Sequence, residues 1–221
     1  MGHKVSPLLL RLGYIQDWRS KWFAKKSDYA KFVHMDIQIR KFIKDNYKQA
    51  AIAKIIIERL TDKMKIKIHC ARPGLIIGRH GQDIERLRGE LAAIAKQELS
   101  IEPIEVKQPA ADAQLIAQNV AVQLEKRIAF RRAIKRSIEQ ATASGVKGIK
   151  ISVAGRLGGA EMSRRETYKQ GKLPLSTLRA DIDYGFAEAL TTYGLIGVKA
   201  LTYKGEILLK SKQQPAIVGE R

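Results

Sequence analysis

The sequence predicts an α+β fold made of two successive units that meet near residue 110. Three observations carry this. Residues 64–70 alternate strictly between apolar and polar side chains, amphipathic helical periods stand on both sides of Pro109, and 45% of the 221 residues are apolar. A chain of that length and apolar content can bury a core in each half. Aromatic residues make up only 6% of the chain, so those cores should rest on Ile, Leu, Val and Ala.

Residues 1–27 carry Gly, Pro and Trp without a clear period, and Lys4, Arg11, Arg19, Lys21, Lys25 and Lys26 are scattered among them. They read as an N-terminal extended arm that folds against something else. A helix is predicted from the capping pair Ser27-Asp28, with Phe32, Met35, Ile39, Phe42 and Ile43 on one face. Residues 51–60 read as a strand and Thr61-Asp62-Lys63 as a hairpin turn. In the strand at 64–70, Met64, Ile66, Ile68 and Cys70 face one way and Lys65, Lys67 and His69 the other. A short turn of helix at Leu75-Ile76-Ile77 leads into Gly78-Arg79-His80-Gly81. A second helix starts at Gln82, with Ile84, Leu87, Leu91, Ile94 and Ala95 on its stripe, and residues 101–107 form the next strand.

That order assigns residues 28–109 to the first unit and 110–210 to the second. In the second unit a helical region runs from Asp112 to about Ser144 and is closed by Gly145 and Gly148. The apolar arc of Ile116, Val120 and Leu124 is turned relative to that of Phe130 and Ile134, which predicts a bend or break near Ile128. Strands follow at 149–154, 181–187 and 196–203, with an Arg- and Lys-rich stretch at 160–180 between the first two. Tyr203-Lys204-Gly205-Glu206 reads as a turn into a last short strand, and residues 211–221 as a polar tail. A mixed or antiparallel sheet packed on helices is the expected form of this unit.

Charge narrows the function. Lys and Arg total 41 against 22 Asp and Glu, a formal net charge of +19. Such self-repulsion does nothing for a fold and is relieved when a polyanion supplies the counter-charge. Cys70 is the only cysteine, so no intramolecular disulfide and no Cys-rich zinc site can form. No apolar run is long enough to span a bilayer, and the first residues lack the features of a signal peptide. Gly2 and Ser6 match the permissive myristoylation pattern, but the expected location is the cytoplasm, with no membrane partner. The four histidines have no metal-ligand spacing and there is no Walker A sequence, so no cofactor, metal or catalytic residue is expected.

Two stretches carry a positive reading. Gly78-Arg79-His80-Gly81 lies between two helices and has the Gly-x-x-Gly form with which KH domains clamp a nucleic-acid backbone. Glycine lets phosphate approach the main chain, and the N-terminus of the following helix favours an anion. Arg79 and His80 supply donors, whereas Asp83 competes for the same helix end. The second stretch, 126–136, has six basic residues and no acid. On a continuous helix Arg127, Arg131 and Lys135 stack at four-residue intervals, with Arg132 and Arg136 on the adjacent row. A solvated face normally mixes signs, so this one suits phosphate, read without regard to base sequence.

The stretches RPGLIIGRHG (72–81), FRRAIKRSI (130–138), GIKISVAGRLGGAE (148–161), LPLSTLRADIDYG (173–185) and TTYGLIGVK (191–199) closely resemble the bacterial and organellar S-three family of small-subunit ribosomal proteins. The opening GHKVSPLLLRLG resembles that family's N-terminal arm, and the likeness extends from Gly2 to about Leu209. The resemblance implies an N-terminal type II KH domain, a C-terminal α+β domain and a place in the subunit head. It also implies binding of ribosomal RNA and a share in lining the messenger entry channel beside other head and body proteins. The family's channel face falls on Arg131, Arg132 and Lys135, flanked here by Arg127 and Arg136. Ribosomal RNA contacts are expected from Lys4 and Arg11 of the arm and from Arg156, Arg164, Arg165, Lys169, Lys172 and Arg179. Ser163-Arg164-Arg165 is more basic than the family pattern. Two other readings stay open at this stage: a free KH-type RNA-binding regulator, and a metal-dependent RNA-processing enzyme using Asp181 and Asp183, two carboxylates on one face of a strand. For that pair the plainer reading is neutralisation by Arg179 or nearby bases.

Overall fold

The computed structural model describes residues 4–60 and 63–207. The hairpin turn expected at 61–63 and the tail at 211–221 therefore fall partly or wholly outside the described residues. In chain order the elements are α1 (Pro7–Leu10), β1 (Ser20–Lys21), α2 (Lys26–Asn46), β2 (Ile52–Arg59), β3 (Lys63–Cys70), α3 (Gly74–Ile77), α4 (Gln82–Ala95), β4 (Glu98–Glu105), α5 (Ala113–Glu125), α6 (Phe130–Ala143), β5 (Gly148–Gly155), β6 (Arg164–Gly171), β7 (Ala180–Thr191) and β8 (Gly194–Glu206).

The first unit is a four-stranded mixed sheet in the order β1-β2-β3-β4, with β1 parallel to β2, β2 antiparallel to β3 and β3 parallel to β4. The alternation at 64–70 sets its register, because Met64, Ile66, Ile68 and Cys70 are all fully buried. Ile39 and Ile43 of α2 and Leu87, Leu91 and Ala95 of α4 close over that face. The sequence α2-β2-β3-α3-α4-β4 is the expected helix-strand-strand-helix-helix-strand order.

The second unit is an antiparallel sheet in the order β6-β5-β8-β7. Ile149, Ile151 and Val153 of β5 and Val198 and Ala200 of β8 meet Ile116, Val120 and Leu124 of α5 and Ile134 and Ile138 of α6. The predicted break is present: α5 ends at Glu125, Arg127 takes a left-handed φ of 60°, and α6 begins at Phe130. It lets each helix turn its own apolar arc to the same sheet. Asp112 caps α5, its Oδ1 accepting from the backbone N–H groups of Gln114 (3.0 Å) and Leu115 (3.1 Å).

Several expectations are corrected. α2 starts at Lys26, and Ser27 Oγ donates to the Asp28 carboxylate instead of capping the helix. β4 spans 98–105, starting three residues and ending two residues earlier than expected. The stretch 160–180 contains a strand, β6, that the sequence reading missed. β7 and β8 are longer than predicted, and residues 203–206 continue β8 with no turn there.

The arm does not stand free. Residues 20–21 add an edge strand to β2, and Trp22 Nε1 and Ser20 Oγ donate to Asp36 Oδ2 at 2.9 and 3.1 Å. Asp36 Oδ1 in turn accepts from Arg59 Nη2 at 2.6 Å, an ion pair buried at both ends. The Arg59 guanidinium lies 4.7 Å from the centroid of the Phe32 ring. Further back, Arg11 and Gln16 reach the second unit, Gln16 Nε2 donating to Ile182 O at 3.3 Å. The arm is thus fastened to both sheets.

Candidate nucleic-acid interface

The Gly78–Gly81 loop needs its glycines for two different reasons. Gly78 combines φ 72° with ψ −173°, a conformation essentially reserved for glycine. A Cβ there would stand 2.0 Å from Asp83 Oδ2. Gly81 sits at φ 79°, with only Ile84 near the position of a Cβ. Arg79 and His80 are exposed, and His80 also adopts a left-handed φ of 53°. The Asp83 carboxylate therefore lies against Gly78, where a phosphate on this loop would have to compete with it. Asp83 and Glu85 both occupy the first turn of α4.

α6 presents Arg131, Arg132, Lys135 and Arg136 to solvent while Ala133, Ile134, Ser137, Ile138 and Ala141 are buried. Arg127 is corrected here. It lies in the connector before the helix, so its left-handed backbone breaks the stack expected with Arg131 and Lys135. The structure adds a partner that spacing could not supply. Arg131 of α6 and Arg164 of β6 both stand over the Phe130 ring, at 5.6 and 5.9 Å from its centroid. Both also approach the carboxylate of Glu166, at 3.9 and 3.2 Å. Tyr168 donates its hydroxyl to the other Glu166 oxygen at 3.0 Å, and that hydrogen bond raises the phenol above its ordinary pKa. Glu166 is the only acidic side chain within ion-pair distance of this face among the described residues, and Arg132, Lys135 and Arg136 have none.

The outer face of the second sheet continues the basic surface. Register sets Lys150 directly opposite Lys169, Ala154 opposite Arg165 and Ser152 opposite Lys199. Like charges paired across strands repel, and no acid on these strands pairs with Lys150 or Lys169 among the described residues. The first sheet contrasts with it. There Lys67 donates to Glu58 at 2.8 Å, and Lys65 and Lys63 meet Glu102 and Glu98. The Lys67 contact holds the Glu58 carboxyl below the usual carboxylate range. On the first sheet's outer face three lysines meet carboxylates and Lys54 does not, whereas on the second none of Lys150, Lys169 and Lys199 does among the described residues. Lys150 and Lys199 were missed in the sequence because each sits inside an alternating strand and reads as its polar face. Their signal was the coincidence of cations on three neighbouring strands, visible only once the register is known.

Other expected contacts are spoken for within the fold. Arg11 is corrected outright: it is fully buried. Its Nε donates to Ala180 O at 2.7 Å, Nη1 to Pro7 O at 2.8 Å, and Nη2 to Leu175 O and Thr177 O at 2.9 Å each. Burial lowers its pKa and the nearby Asp181 partly offsets this. A guanidinium with its donors committed inside cannot reach RNA. Arg156 is half-buried, donating from Nε to Ala160 O at 2.9 Å and lying 5.7 Å from the Tyr193 ring centroid. Arg179 pairs with Glu206 at 2.7 Å, and the nearby base that meets Asp183 is Lys204, at 3.9 Å. Lys4, Arg165, Lys169 and Lys172 are exposed.

The aspartates are structural in their contacts. Asp183 Oδ2 accepts from the backbone N–H of Ala113 at 3.2 Å and Oδ1 from that of Tyr184 at 2.9 Å. Burial, then the neighbouring Asp183, raises the Asp112 carboxyl above its ordinary pKa. Asp181 and Asp183 flank the buried Ile182 and line one cavity with Asp112 and Lys204, the unpaired residue at the register slip being Lys204 of β8. Among the described residues no group of three or more His, Cys, Asp and Glu side chains is arranged to hold a metal ion. No described helix is long and apolar enough to cross a membrane.

A KH-type unit followed by an antiparallel sheet with an unbalanced basic face defines an RNA-binding protein. Residues 38–111 match the family model of the KH domain, and residues 120–201 match that of the ribosomal protein S3 C-terminal domain. The small ribosomal subunit protein uS3 of Trichlorobacter lovleyi is 58% identical over 208 residues, covering 94% of this chain and 99% of its own. That of Carboxydothermus hydrogenoformans is 52% identical over 214 residues, covering 97% of this chain and 96% of its own. The chain belongs to the uS3 family of small-subunit ribosomal proteins.

Proposed function

We propose that the chain is a structural, RNA-binding constituent of the small ribosomal subunit. Its second unit grips RNA backbone through α6 and the outer face of the β6-β5-β8 strands. The α6 face, Arg131, Arg132, Lys135 and Arg136, meets incoming messenger at the entry channel. The outer sheet cations Lys150, Arg165, Lys169 and Lys199, with Lys4 and Lys172, meet ribosomal RNA, beside neighbouring head and body proteins. The carrying observation is that, of the four cations of α6, only Arg131 approaches a carboxylate, that of Glu166, and Arg132, Lys135 and Arg136 have none among the described residues. Nothing in the fold needs those charges, since the helix is held by Ile134 and Ile138 on its other side. The Gly78–Gly81 loop contributes a weaker backbone contact through Arg79 and His80, limited by the Asp83 carboxylate against Gly78.

Such a surface binds phosphate irrespective of sequence, and it opens messenger duplexes passively, by holding single strands while another machine pulls. The test is the salt dependence of RNA binding by the full chain. Each phosphate contact contributes roughly 0.7–0.9 to the slope of log K against log salt. Arg131→Ala with Arg132→Ala should lower that slope by roughly 1.5 without altering thermal stability. An unchanged slope removes both residues from the RNA surface.

A further inference from the structure

Arg164 belongs neither to the cations of α6 nor to those on the outer face of the second sheet. Register pairs Arg164, Glu166 and Tyr168 of β6 with Gly155, Val153 and Ile151 of β5, so they stand on the side of the sheet that α6 covers, whereas Arg165, Thr167 and Lys169 point the other way. We propose that Arg131 of α6 and Arg164 of β6 form a two-armed clamp on a single RNA phosphate, with Glu166 positioning both arms.

Three observations carry the proposal. First, the two guanidiniums converge although they come from different elements. Both stand over the Phe130 ring, and both face the same carboxylate oxygen, Glu166 Oε1, Arg131 at 3.9 Å and Arg164 at 3.2 Å. Two cations spaced to meet one carboxylate oxygen are spaced to meet the oxygens of one phosphate. Tyr168 holds the other Glu166 oxygen at 3.0 Å, so the carboxylate is anchored from behind. Side chains gathered in advance lose less freedom when a ligand arrives. Second, the charges do not close. Two guanidiniums against one carboxylate leave a single positive charge, which one phosphodiester would neutralise. Third, donors remain open. The Arg131 side chain is 71% exposed and that of Arg164 49%, against 22% for Glu166. A guanidinium carries five N–H groups, and at 3.9 Å Arg131 is beyond hydrogen-bonding distance of Glu166, so its fork is available to an oxygen from outside. The neighbouring surface selects the ligand. Arg132, Lys135 and Arg136 extend the positive charge along α6, exposed and without a carboxylate among the described residues. A polyanion meets all of them, whereas the carboxylate of a partner side chain meets one.

The clamp rests on the RNA-binding reading of α6, and the experiment separates the failure of one from the failure of the other. It measures binding of the full chain to single-stranded oligouridylate over a range of salt concentrations. With either arginine gone, Glu166 cancels the one that remains and the phosphate is released. Arg164→Ala and Arg131→Ala should therefore each lower the slope of log K against log salt by roughly 0.7, one contact to a single strand. The Arg131→Ala, Arg164→Ala variant should lose no more slope than either alone, whereas Arg132→Ala combined with Arg164→Ala should lose twice as much, because a second phosphate goes. Glu166→Gln introduced into Arg164→Ala should restore the slope, since the amide no longer neutralises Arg131. A full slope in Arg164→Ala, a doubled loss in the Arg131→Ala, Arg164→Ala variant, or no rescue by Glu166→Gln overturns the clamp. The α6 reading survives any of these as long as Arg132→Ala still lowers the slope. Failure of the native chain to show salt-dependent binding overturns both. A brace that only ties β6 to α6 would instead lower the Tm of Arg164→Ala and leave its slope intact, which also overturns the proposal.

Discussion

Replacing Arg11 with alanine tests whether the arm is part of the fold or an appendage to it. In the native structure the guanidinium donates to the carbonyls of Ala180, Pro7, Leu175 and Thr177, with a longer contact of 3.5 Å to Pro174. A hydrogen bond from a charged donor contributes about 1.5–3 kcal/mol net, and each carbonyl left unpaired in a dry site costs about 1–3 kcal/mol. These do not add, because water reaches the part-buried carbonyls once the side chain is gone. One buried acceptor, Ala180 O, and partial loss at the other three give about 3–5 kcal/mol. For a chain of this size that corresponds to a fall in Tm of roughly 6–20 °C. Arg11→Lys should recover only part of it, since an ammonium cannot span acceptors on both sides of a planar fork. The assays are calorimetry and hydrogen exchange. Exchange should accelerate around 174–182, where the arm lies, and stay unchanged in β3. A shift in Tm of less than about 1 °C in Arg11→Ala would refute the assignment of this residue to the fold and return it to the RNA surface.

Two further outcomes are expected. Burial, then the charges of Lys54 and Lys67, lowers the His69 pKa. The native state therefore binds fewer protons there than the unfolded chain. The stability this contributes is fully present above the ordinary imidazole pKa of about 6.5 and is lost as pH falls from there towards the lower native value. Urea denaturation at pH 8 and pH 5 should show this loss in the native chain and a smaller loss in His69→Gln. An equal loss in both would remove His69 as a cause. Gly185→Ala should be severely destabilising, because a Cβ would stand 2.2 Å from the backbone oxygen of Ala113, where β7 meets the start of α5. A cost of about 1–3 kcal/mol or more is expected from overpacking a rigid contact, and a neutral result by the same denaturation assay would contradict the close approach.

Features fixed by local periodicity were legible from residue types alone. β3 was readable because Met64, Ile66, Ile68 and Cys70 all go to one core, so its period of two is unbroken. The break between α5 and α6 was readable because the apolar arc changes direction across residues 126–129, and a straight helix could not bury both arcs. β6 was not readable. Its residues RRETYKQG are almost all exposed, only Glu166 and Tyr168 being half-buried, so no hydrophobic pattern marks it as a strand. Arg11 was misread for a different reason. A cation in a basic chain looks like a phosphate contact, and the carbonyls that hold it inside lie up to 169 residues away in sequence. At the interface, α6 was visible as a run of cations, but Arg127 was wrongly counted with it because its left-handed backbone leaves the helix. The joining of Arg131 to Arg164 through Phe130 and Glu166 depends on a tertiary contact that no spacing rule encodes.

The central claim is that cations left unbalanced in the fold lie against RNA, whereas those already paired do not. Lysine acetylation of the free chain and of the chain within small ribosomal subunits measures this directly. Lys135, Lys150, Lys169 and Lys199 should be modified readily in the free chain, protected in the particle and exposed again after ribonuclease digestion, while Lys65 and Lys67, held by Glu102 and Glu58, should change little. Equal modification of the first four in both states, or protection that survives ribonuclease, would contradict the account.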